Sequence, residues 1–437
     1  MRKPGLPPPD RILSSKATQA YLGGKWNRFI LKVNEEYKHW DKVKHLKPPT
    51  GFSIREVWHA VRHWRTQRAF LLKFGSYRFS FVWTQELAHW LHEVDMKYGG
   101  SIGAEETPSG FDRQRYLVSS VAEEAIASSQ IEGAVTTRRV AKEMLMQQRP
   151  PRDRSEQMIL NNYQTIQWIR EHAKDNLNLK KLLHLHRLMT TKTLHSPKEE
   201  GSLRKDDDIA VVDHSDGTIM HRPPLSKKLH VLLKDLIAFF NTDDEHNFIH
   251  PIVKATICHF MISWIHPFVD GNGRTARALF YWYMLRNGYW LTEYLSISRV
   301  ILRSRGNYYR AFLYTETDNH DLNYFIYYHM RALLKAFGEL MEYIERKSEE
   351  RVSFSTFVRS GVNERQAVIL GWVIKEPGKV IVVKEVQTQF GVSNQTARTD
   401  LQELVEKGYL RITAPNKKKQ AFLAAPNLDR KLKSTTS

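Results

Sequence analysis

Apolar residues recur at helical spacing through most of the chain. In the segment "IREVWHAVRHWRTQRAFLLKF" they fall at intervals of three and four, which places side chains on one face of a helix, at Ile54, Val57, Val61 and Trp64. Thr84 stands where the N-cap of the next helix is expected. Residues 1–109 are therefore predicted to form a helical accessory region after a Pro-rich start, and their sequence points to no particular chemistry.

The helical pattern continues over residues 110–346, with one interruption. "FDRQRYLVSSVAEEAIASSQIEG" predicts a helix near 113–133 that ends at Gly133. "DIAVVDHSDGTIMHRPP", at 208–224, combines a β-branched run, an Asp-Gly turn signal and a second short run, which is typical of a β-hairpin. An isolated hairpin is only marginally stable, so this one must pack on its neighbours. The pattern predicts a mainly α fold, a helical core that carries one hairpin.

Residues 352–430 have a different pattern. A helix, a Gly-Val-Ser turn, a second helix, a glycine and two strands are typical of a winged helix-turn-helix, a small α+β domain. Ser393 is the expected cap of the second helix, whose outward face carries Gln395, Arg398, Thr399 and Gln402. These side chains can contact DNA bases, and the turn between the two strands can contact phosphates through Lys417, Lys418 and Lys419. The same fold also serves protein contact or dimerisation, so a homodimer stays open.

Charge and composition narrow the class of protein. Of the formal net charge of +19, residues 1–100 carry +10 and residues 352–437 carry +7. The basic ends can meet nucleic acid or an acidic partner, or they can be a merely solvated surface. The single cysteine, Cys258, excludes a disulfide framework and a cysteine-rich zinc site. We see no secretory segment and no apolar run of ~20 residues, so we expect a cytoplasmic protein with no membrane partner.

The segment "WIHPFVDGNGRTAR" at 264–277 concentrates polar residues between two apolar helices. The N–H groups at the start of the second helix form an anion site. Gly271 and Gly273 have no side chains, so an oxyanion can approach the backbone there closely. Asn272 can add an amide donor. Arg274 and Arg277 are neighbours on one helix face and can grip phosphate oxygens.

The same segment supplies a cation ligand and a base. Asp270 is a hard oxygen ligand of the kind that holds Mg²⁺ together with substrate phosphates. His266 can take a proton from an incoming hydroxyl. These are the parts of a phosphoryl or nucleotidyl transfer site. The alternative is a glycine-rich connection between two core helices, and the coincidence of so many informative residue types argues against it.

The motif His266-Pro267-Phe268-Val269-Asp270-Gly271-Asn272-Gly273-Arg274-x-x-Arg277 resembles the signature of the Fic (filamentation induced by cAMP) family without departure. The resemblance extends over roughly 110–345, including "GSLR" before the hairpin and "NYYRAF" after the motif. It implies transfer of AMP from Mg-ATP to a Ser, Thr or Tyr hydroxyl of a target protein, or of the chain itself. Gly273 in place of a lysine argues against the Doc-like kinase branch.

The resemblance also implies roles for individual residues. His266 would be the general base and Asp270 the Mg²⁺ ligand, with phosphates held by Gly271, Asn272, Gly273, Arg274 and Arg277. The hairpin would be a flap that aligns the target segment by strand pairing, through Thr218, Ile219, Met220 and His221. Tyr308 matches the tyrosine that lines the adenine pocket, and Glu316 stands where some relatives have an asparagine.

A built-in brake is predicted from "SSQIEG", which contains Ser128-x-x-x-Glu132-Gly133. The string is common by chance, and its alternative is an ordinary exposed helix end. Its place just before the core resembles the Fic class with an N-terminal inhibitory helix. In that class the glutamate pairs with the second motif arginine, here Arg277, and so blocks the productive position of the γ-phosphate.

Two other functions remain in view. One is a DNA-binding regulator whose core only senses nucleotide, although pure sensing would not need His266 and Asp270. The other is the reverse reaction, de-AMPylation of a modified target. Separately, the spacing of His184 and His186 places them on different helix faces, so structural roles are favoured over a shared metal. His259, on an apolar helix, is interpreted as a satisfied core histidine.

Overall fold

The computed structural model describes residues 3–9, 13–98, 113–212, 217–242, 246–289, 292, 295–359, 361–376, 378–416, 419–426 and 428. These residues form two compact units, one up to Leu340 and the other from Met341 onward. The fold is mainly α, with short strands, as the apolar pattern predicts. No helix within these ranges is long and apolar enough to cross a membrane.

The first unit begins with elements that build a core of their own. In chain order they are α1 (Ser15–Leu22), α2 (Asn27–Glu35), α3 (Trp40–Val43), α4 (Ile54–Gln67), β1 (Ala69–Phe74), β2 (Tyr77–Val82) and α5 (Gln85–Tyr98). The core around Trp26 and Trp58, both fully buried, joins the first four helices. Ser53 caps α4 in a reciprocal pair with Glu56, and the Leu87 N–H donates to Thr84 Oγ1 at 3.2 Å, which confirms the predicted cap of α5.

The helix predicted from "IREVWHAVRHWRTQRAFLLKF" is wrong beyond Gln67. The residues that follow form β1 and β2, an antiparallel hairpin in which Phe74 pairs with Tyr77. The turn between the strands contains Gly75 at φ +56°, a conformation that favours glycine. Alternating Phe and Tyr side chains suit strands better than a helix, so local propensity and the turn outweigh the helical spacing upstream.

The N-terminal hairpin is not free-standing. The Val82 N–H donates to Asn323 Oδ1 at 2.6 Å, and Asn323 Nδ2 donates back to the Val82 carbonyl at 2.9 Å. The Phe79 ring meets the Trp264 ring edge-on at 5.0 Å. Residues 13–98 thus belong to the same compact unit as the helices that follow.

The remainder of the first unit is helical. Its elements are α6 (Arg113–Ile131), α7 (Arg138–Gln147), α8 (Arg154–Glu171), α9 (Leu179–Thr190), β3 (Val211–Val212), β4 (Ile219–His221), α10 (Leu229–Asn241), α11 (Pro251–Ile265), α12 (Asn272–Arg286), α13 (Ile297–Arg303), α14 (Arg305–Thr317) and the part of α15 (Asn323–Arg359) up to Leu340. The hairpin predicted at 208–224 is confirmed as β3 paired antiparallel with β4. α11 is buried almost all round, as expected for a helix at the centre of a core, and α12 packs against it.

The second unit contains α16 (Glu364–Lys375), β5 (Ile381–Val382), α17 (Val383–Phe390), α18 (Asn394–Glu406), β6 (Leu410–Asn416) and β7 (Lys419–Ala424). The strands form one antiparallel sheet in the order β5-β7-β6. Ser393 Oγ accepts from the Thr396 N–H at 3.1 Å, as predicted for the cap of α18. Lys417, Lys418 and the Lys419 side chain lie outside the described residues.

Candidate active site

The polar motif forms the connection between the end of α11 and the start of α12. His266 is the C-cap of α11 and adopts a left-handed conformation, with φ +49°. Such a backbone is uncommon for residues other than glycine, although histidine adopts it more readily than most, and it turns the chain sharply out of the helix. The imidazole of His266 is thereby presented beside the start of α12.

The imidazole of His266 is neutral and has one nitrogen available. Its Nδ1 lies 3.2 Å from the Ser263 carbonyl, so we assign the ring proton to Nδ1, which leaves the Nε2 lone pair open. Burial lowers the pKa of His266 to about 4, and the hydrogen bond to Ser263 only partly offsets this effect. The neutral ring, protonated on Nδ1 alone, therefore prevails at neutral pH, and its Nε2 is able to accept a proton.

Arg204 holds the backbone of the motif, a role that its sequence position did not predict. Its guanidinium is buried, and Nε donates to the His266 carbonyl at 2.8 Å, while Nη2 donates to the Pro224 carbonyl just after β4. The Arg204 N–H donates to the Pro267 carbonyl at 2.9 Å. Arg204 therefore links the turn at His266 and Pro267 to the hairpin segment. The "GSLR" string was the available signal for this role.

His186 supports the turn from beneath. Its ring stacks on Phe268 with centroids 3.7 Å apart, and its Nε2 lies 2.8 Å from the Asp270 carbonyl. The Gly201 N–H donates to Nδ1 at 3.0 Å, which leaves Nε2 as the donor to Asp270. His186 thus has a structural role. His184, two residues away, packs against Trp168 instead.

The glycine at the start of α12 is sterically required. Gly271 has φ +83°, and a Cβ there would lie 2.7 Å from Thr190 Cγ2 and 3.3 Å from His186 Nε2. The Asn272 side chain makes two hydrogen bonds to the Phe268 backbone, at 3.0 and 2.9 Å. Asn272 therefore shapes the turn, and anion binding at this point is left to the N–H groups of the first helical turn.

Arg274 and Arg277 are almost completely buried, at 1% and 2% exposure. Arg274 Nη1 donates to the Met189 carbonyl at 3.1 Å, while its Nε and Nη2 have no hydrogen-bond partner within the described structure, although Nη2 lies 3.9 Å from Asp270 Oδ1. Arg277 Nη1 also lacks a partner there. Buried guanidinium donors are costly to leave unpaired, so these three nitrogens fit a site that receives an anion.

α6 delivers a carboxylate to the second of these arginines. Arg277 Nη2 donates to Glu132 Oε1 at 2.9 Å and to the Ser128 carbonyl at 2.9 Å, and Nε donates to Ser128 Oγ at 2.9 Å. The predicted pairing of Glu132 with Arg277 is thus present in the structure, and Ser128 adds two contacts to the same guanidinium that the sequence did not predict. α6 ends at Ile131, and Gly133 follows with φ +94°.

The Glu132 carboxylate also covers Gly273. A Cβ at Gly273 would lie 2.2 Å from Glu132 Oε1 and 3.0 Å from its carboxyl carbon. The carboxylate therefore occupies space directly above the first turn of α12, where an anion would approach the helix N-terminus.

Asp270 stands at the exposed edge of the site. Its Oδ1 accepts from the Gly271 N–H at 2.5 Å, and its Oδ2 lies 3.3 Å from Arg154 Nη2. Within the described ranges no group of three or more His, Cys, Asp or Glu side chains could share a metal ion. Asp270 can thus supply one carboxylate oxygen to a cation whose other ligands come from a bound phosphate and water.

Of the predicted hairpin residues, His221 lies near His266, and Tyr308 lies near Arg277, whereas Thr218, Ile219 and Met220 are placed only as hairpin residues before it. On β4, His221 presents Nε2 to the Trp264 carbonyl at 2.8 Å and Nδ1 to Glu316 Oε2 at 2.9 Å. Tyr308 is 3% exposed, and its hydroxyl lies 2.9 Å from His259 Nε2, so His259 is a satisfied core histidine. Glu316 therefore binds the hairpin, a contact that its sequence position did not indicate.

The geometry is that of a mainly helical domain with two buried arginines at a helix start, a histidine beside it and a paired hairpin. Residues 176–284 match the model of the Fic/DOC family, and residues 365–413 match that of the DeoR-like helix-turn-helix domain. The chain thus contains a Fic/DOC family domain and, C-terminal to it, a DeoR-like helix-turn-helix domain.

The relatives match over short segments. The protein adenylyltransferase Fic of Drosophila mojavensis is 34% identical over 113 residues, which is 26% of this chain and 20% of the relative. The protein adenylyltransferase fic-1 of Caenorhabditis elegans is 46% identical over 57 residues, 13% of this chain and 11% of the relative. The matched segment thus spans a fifth or less of these curated relatives.

A solved structure shares the fold. The crystal structure of a Fic family protein from Desulfovibrio desulfuricans G20 superposes with a TM-score of 0.51 at 22% sequence identity. The match covers 78% of this chain and 95% of that chain. At this identity the likeness concerns the fold alone.

Proposed function

We propose that the chain is a protein adenylyltransferase that transfers AMP from Mg-ATP to a Ser, Thr or Tyr hydroxyl of a target protein or of itself, and that Glu132 inhibits it. The observation that carries the proposal is the pair of buried arginines at the start of α12. One of them is bound by Glu132, and both keep unpaired donors. The named relatives, protein adenylyltransferases, support the same chemistry.

In the proposed reaction the target hydroxyl oxygen attacks the α-phosphorus of ATP. A bond forms between that oxygen and the phosphorus, the bond from the α-phosphorus to the bridging oxygen of the β-phosphate breaks, and pyrophosphate leaves. His266 Nε2 accepts the hydroxyl proton, for which the depressed pKa of the ring keeps it unprotonated. The N–H groups of the first turn of α12 and the guanidinium of Arg274 stabilise the developing charge.

Asp270 would hold Mg²⁺ in this scheme. Bound with ATP, the ion would neutralise phosphate charge and orient the triphosphate. The residues present fit an ion that arrives with its nucleotide, since Asp270 offers one partly exposed carboxylate and the described part of the chain places no complete cage of His, Cys, Asp or Glu ligands around it. Arg154 pairs with that carboxylate and would have to release it.

Glu132 would inhibit by competing for Arg277. Its carboxylate takes the Nη2 donor that a phosphate oxygen would need, and it lies over Gly273, where the phosphates would approach. A hydrogen bond between charged groups contributes about 1.5–3 kcal/mol. Removal of this bond should therefore raise productive ATP binding by about 10- to 150-fold, since each 1.4 kcal/mol is a factor of ten.

The test is a transfer assay with ATP radiolabelled at the α-phosphate, in cell lysate and with the purified full chain. Wild type, Glu132→Ala, His266→Ala and the double variant are compared. Glu132→Ala should label strongly, and both variants that lack His266 should not label. Glu123→Ala is the matched control, because Glu123 lies on the same helix and pairs with Arg138 and Lys142 instead of Arg277.

The position of the label separates the alternatives. Label from the γ-phosphate instead of the α-phosphate would indicate phosphorylation and reject AMP transfer. Labelling that is equal in wild type, Glu132→Ala and Glu123→Ala would reject the inhibitory role of Glu132. Loss of label from a pre-modified target on incubation with wild type would favour de-AMPylation.

We also propose that the second unit binds DNA. The outward face of α18 carries exposed Gln395, Thr399 and Gln402 with partly exposed Arg398, while Ala397 and Leu401 pack inward. This arrangement is that of a recognition helix, and it supports base contacts. Selection from a random duplex library should enrich one sequence for wild type but not for Gln395→Ala with Arg398→Ala. Equal enrichment by both would reject the assignment.

A further inference from the structure

A separate cavity of about 690 Å³ opens in the first unit, away from the motif. Its walls are residues 36–46 of the N-terminal region and the facing sides of α13, α14 and α15. A volume of this size lies within the range of small-molecule sites in proteins.

The cavity uses a face of α14 that the proposed active site does not. Asn307, Ala311 and Tyr314 line it at positions i, i+4 and i+7, which share one helix face. Tyr308 and Glu316 project from other faces, toward His259 and His221. A ligand in this cavity would therefore occupy a site distinct from the start of α12.

The lining is strongly cationic. Among its residues six are basic and one is acidic, Glu36, and the six are Lys38, Lys42, Arg303, Arg310, Arg331 and Lys335. Burial lowers the pKa of His39, also in the wall, to about 3, so this ring adds no charge at neutral pH. A cavity lined by one sign of charge focuses its field and raises the local concentration of counter-ions.

Two of the six cations have carboxylate partners. Lys38 Nζ lies 2.9 Å from Glu36 Oε1, and Arg303 Nη1 lies 2.5 Å from Glu339 Oε1.

The other four make no ion pair with the described residues. Arg310 contacts the Tyr314 hydroxyl, and Arg331 lies over the Trp90 and Tyr327 rings, 5.4 and 5.8 Å from their centroids. Lys42 and Lys335 are exposed. Four cations without carboxylates around one cavity favour an anionic occupant.

The aromatic part of the wall is held rigidly. Tyr37 and Tyr324 donate to the buried carboxylates of Asp321 and Asp318, at 2.7 and 2.6 Å. The Tyr314 ring stacks on His39 with centroids 4.2 Å apart. Tyr37 and Tyr324 are only 3% and 5% exposed, so the partly exposed Tyr314 ring, fixed in this way, is the preformed surface that a planar organic group would contact at little entropic cost.

We propose that this cavity binds a phosphorylated small molecule of nucleotide size, with its phosphates near the unpaired cations and its organic part against the tyrosine rings. The cavity is too small for a folded domain, and its cationic lining does not suit a metal ion. Free nucleotide and inorganic polyphosphate share the required anionic chemistry. The proposal does not depend on AMP transfer, because no residue of the motif takes part.

The test measures the reactivity of one introduced thiol, which is possible because the chain has a single native cysteine. Cys258 is fully buried, so a cysteine introduced at exposed Asn307 is the accessible thiol, and its rate of reaction with iodoacetamide reports on the cavity. The rate is measured in the Asn307→Cys full chain with ATP, with inorganic tripolyphosphate and with a short single-stranded oligothymidylate. Gln147→Cys is the control, because Gln147 is exposed at the end of α7, which does not line the cavity.

At about ten times its dissociation constant, a bound ligand should slow the reaction of Asn307→Cys by about tenfold and leave Gln147→Cys unchanged. Protection by ATP but not tripolyphosphate assigns a nucleotide, and protection by both assigns a general polyphosphate. Protection by neither, or by the oligothymidylate alone, overturns the proposal.

A variant with fewer charges in the cavity shows whether any protection comes from binding there. Lys42→Gln with Lys335→Gln should weaken the protecting ligand by about 2- to 30-fold, on the scale of two exposed charge contacts. Both side chains are exposed and make no ion pair with described residues, so thermal unfolding of the variant should match wild type. Unchanged affinity in the double variant would assign protection to another site and overturn the proposal.

Discussion

Ser128 provides the sharpest test of how Arg277 is held. Arg277 Nε donates to Ser128 Oγ at 2.9 Å, and both side chains are almost fully buried, at 2% and 1% exposure. Ser128→Ala removes the acceptor and leaves a buried charged donor unpaired when Arg277 is bound to Glu132. A buried donor that loses its partner costs about 1–3 kcal/mol, which destabilises the inhibited arrangement selectively if Arg277 turns to phosphate in the active one.

The expected result is a gain of activity. A shift of about 1–3 kcal/mol corresponds to an increase of about 5- to 150-fold in kcat/KM for ATP in the α-labelled transfer assay. In the Glu132→Ala background the same change should add less than about threefold, because the inhibited arrangement is already depopulated. Non-additivity of this kind is the signature of two residues that act on one equilibrium.

Ser129→Ala is the matched control for this cycle. Ser129 is adjacent and fully buried, but its Oγ faces Asn162 Nδ2 at 3.5 Å instead of Arg277. It should leave activity unchanged. If Ser128→Ala has wild-type activity with a normal melting temperature, or if its effect is fully additive with Glu132→Ala, the hydrogen bond does not contribute to inhibition and the reasoning fails.

Three further outcomes are expected. In the Glu132→Ala background, Arg274→Lys should lower kcat/KM by about 10- to 150-fold because lysine keeps the charge but loses the forked donors, whereas Arg286→Lys on the same helix should not. Asp270→Asn should raise the Mg²⁺ concentration needed for half-maximal transfer by at least about tenfold in a metal titration. An unchanged titration curve would show that Asp270 does not bind the metal. The melting temperature should fall from pH 6.5 towards pH 4. Burial lowers the folded-state pKa values of His186 and His266 to about 4 and of His39 and His329 to about 3, so unfolding takes up protons in that range. Burial raises the pKa values of the Glu124 and Asp321 carboxyls, and this acts in the opposite direction. A melting temperature that rises on acidification would contradict the expectation that the histidines dominate.

Local sequence signals were sufficient where one residue type has one conformational or chemical use. Gly271 requires a positive φ and a close approach, and the motif around it could be interpreted as an anion site without a structure. The cap at Ser393 and the stop at Gly133 follow from equally local rules. The winged helix was predictable because each of its helices and strands carries a clear apolar pattern.

Long-range contacts were not predictable in the same way. The buried guanidinium of Arg204 binds the His266 backbone across 62 residues of chain, and no local pattern indicates that partner. Glu316 was considered for a nucleotide pocket, yet its carboxylate contacts His221 on the hairpin. The N-terminal hairpin at 69–82 was missed because the helical spacing before Gln67 was extended past the point where aromatic alternation begins.

The most direct test of the central claim is the intact mass of the purified chain after incubation with Mg-ATP. We expect Glu132→Ala to gain the mass of one or more AMP groups, wild type to gain little and the Glu132→Ala, His266→Ala double variant to gain none. A mass increase in the double variant, or no increase in Glu132→Ala with a target-containing lysate also unlabelled, would contradict an AMP-transfer site that depends on His266 and is restrained by Glu132.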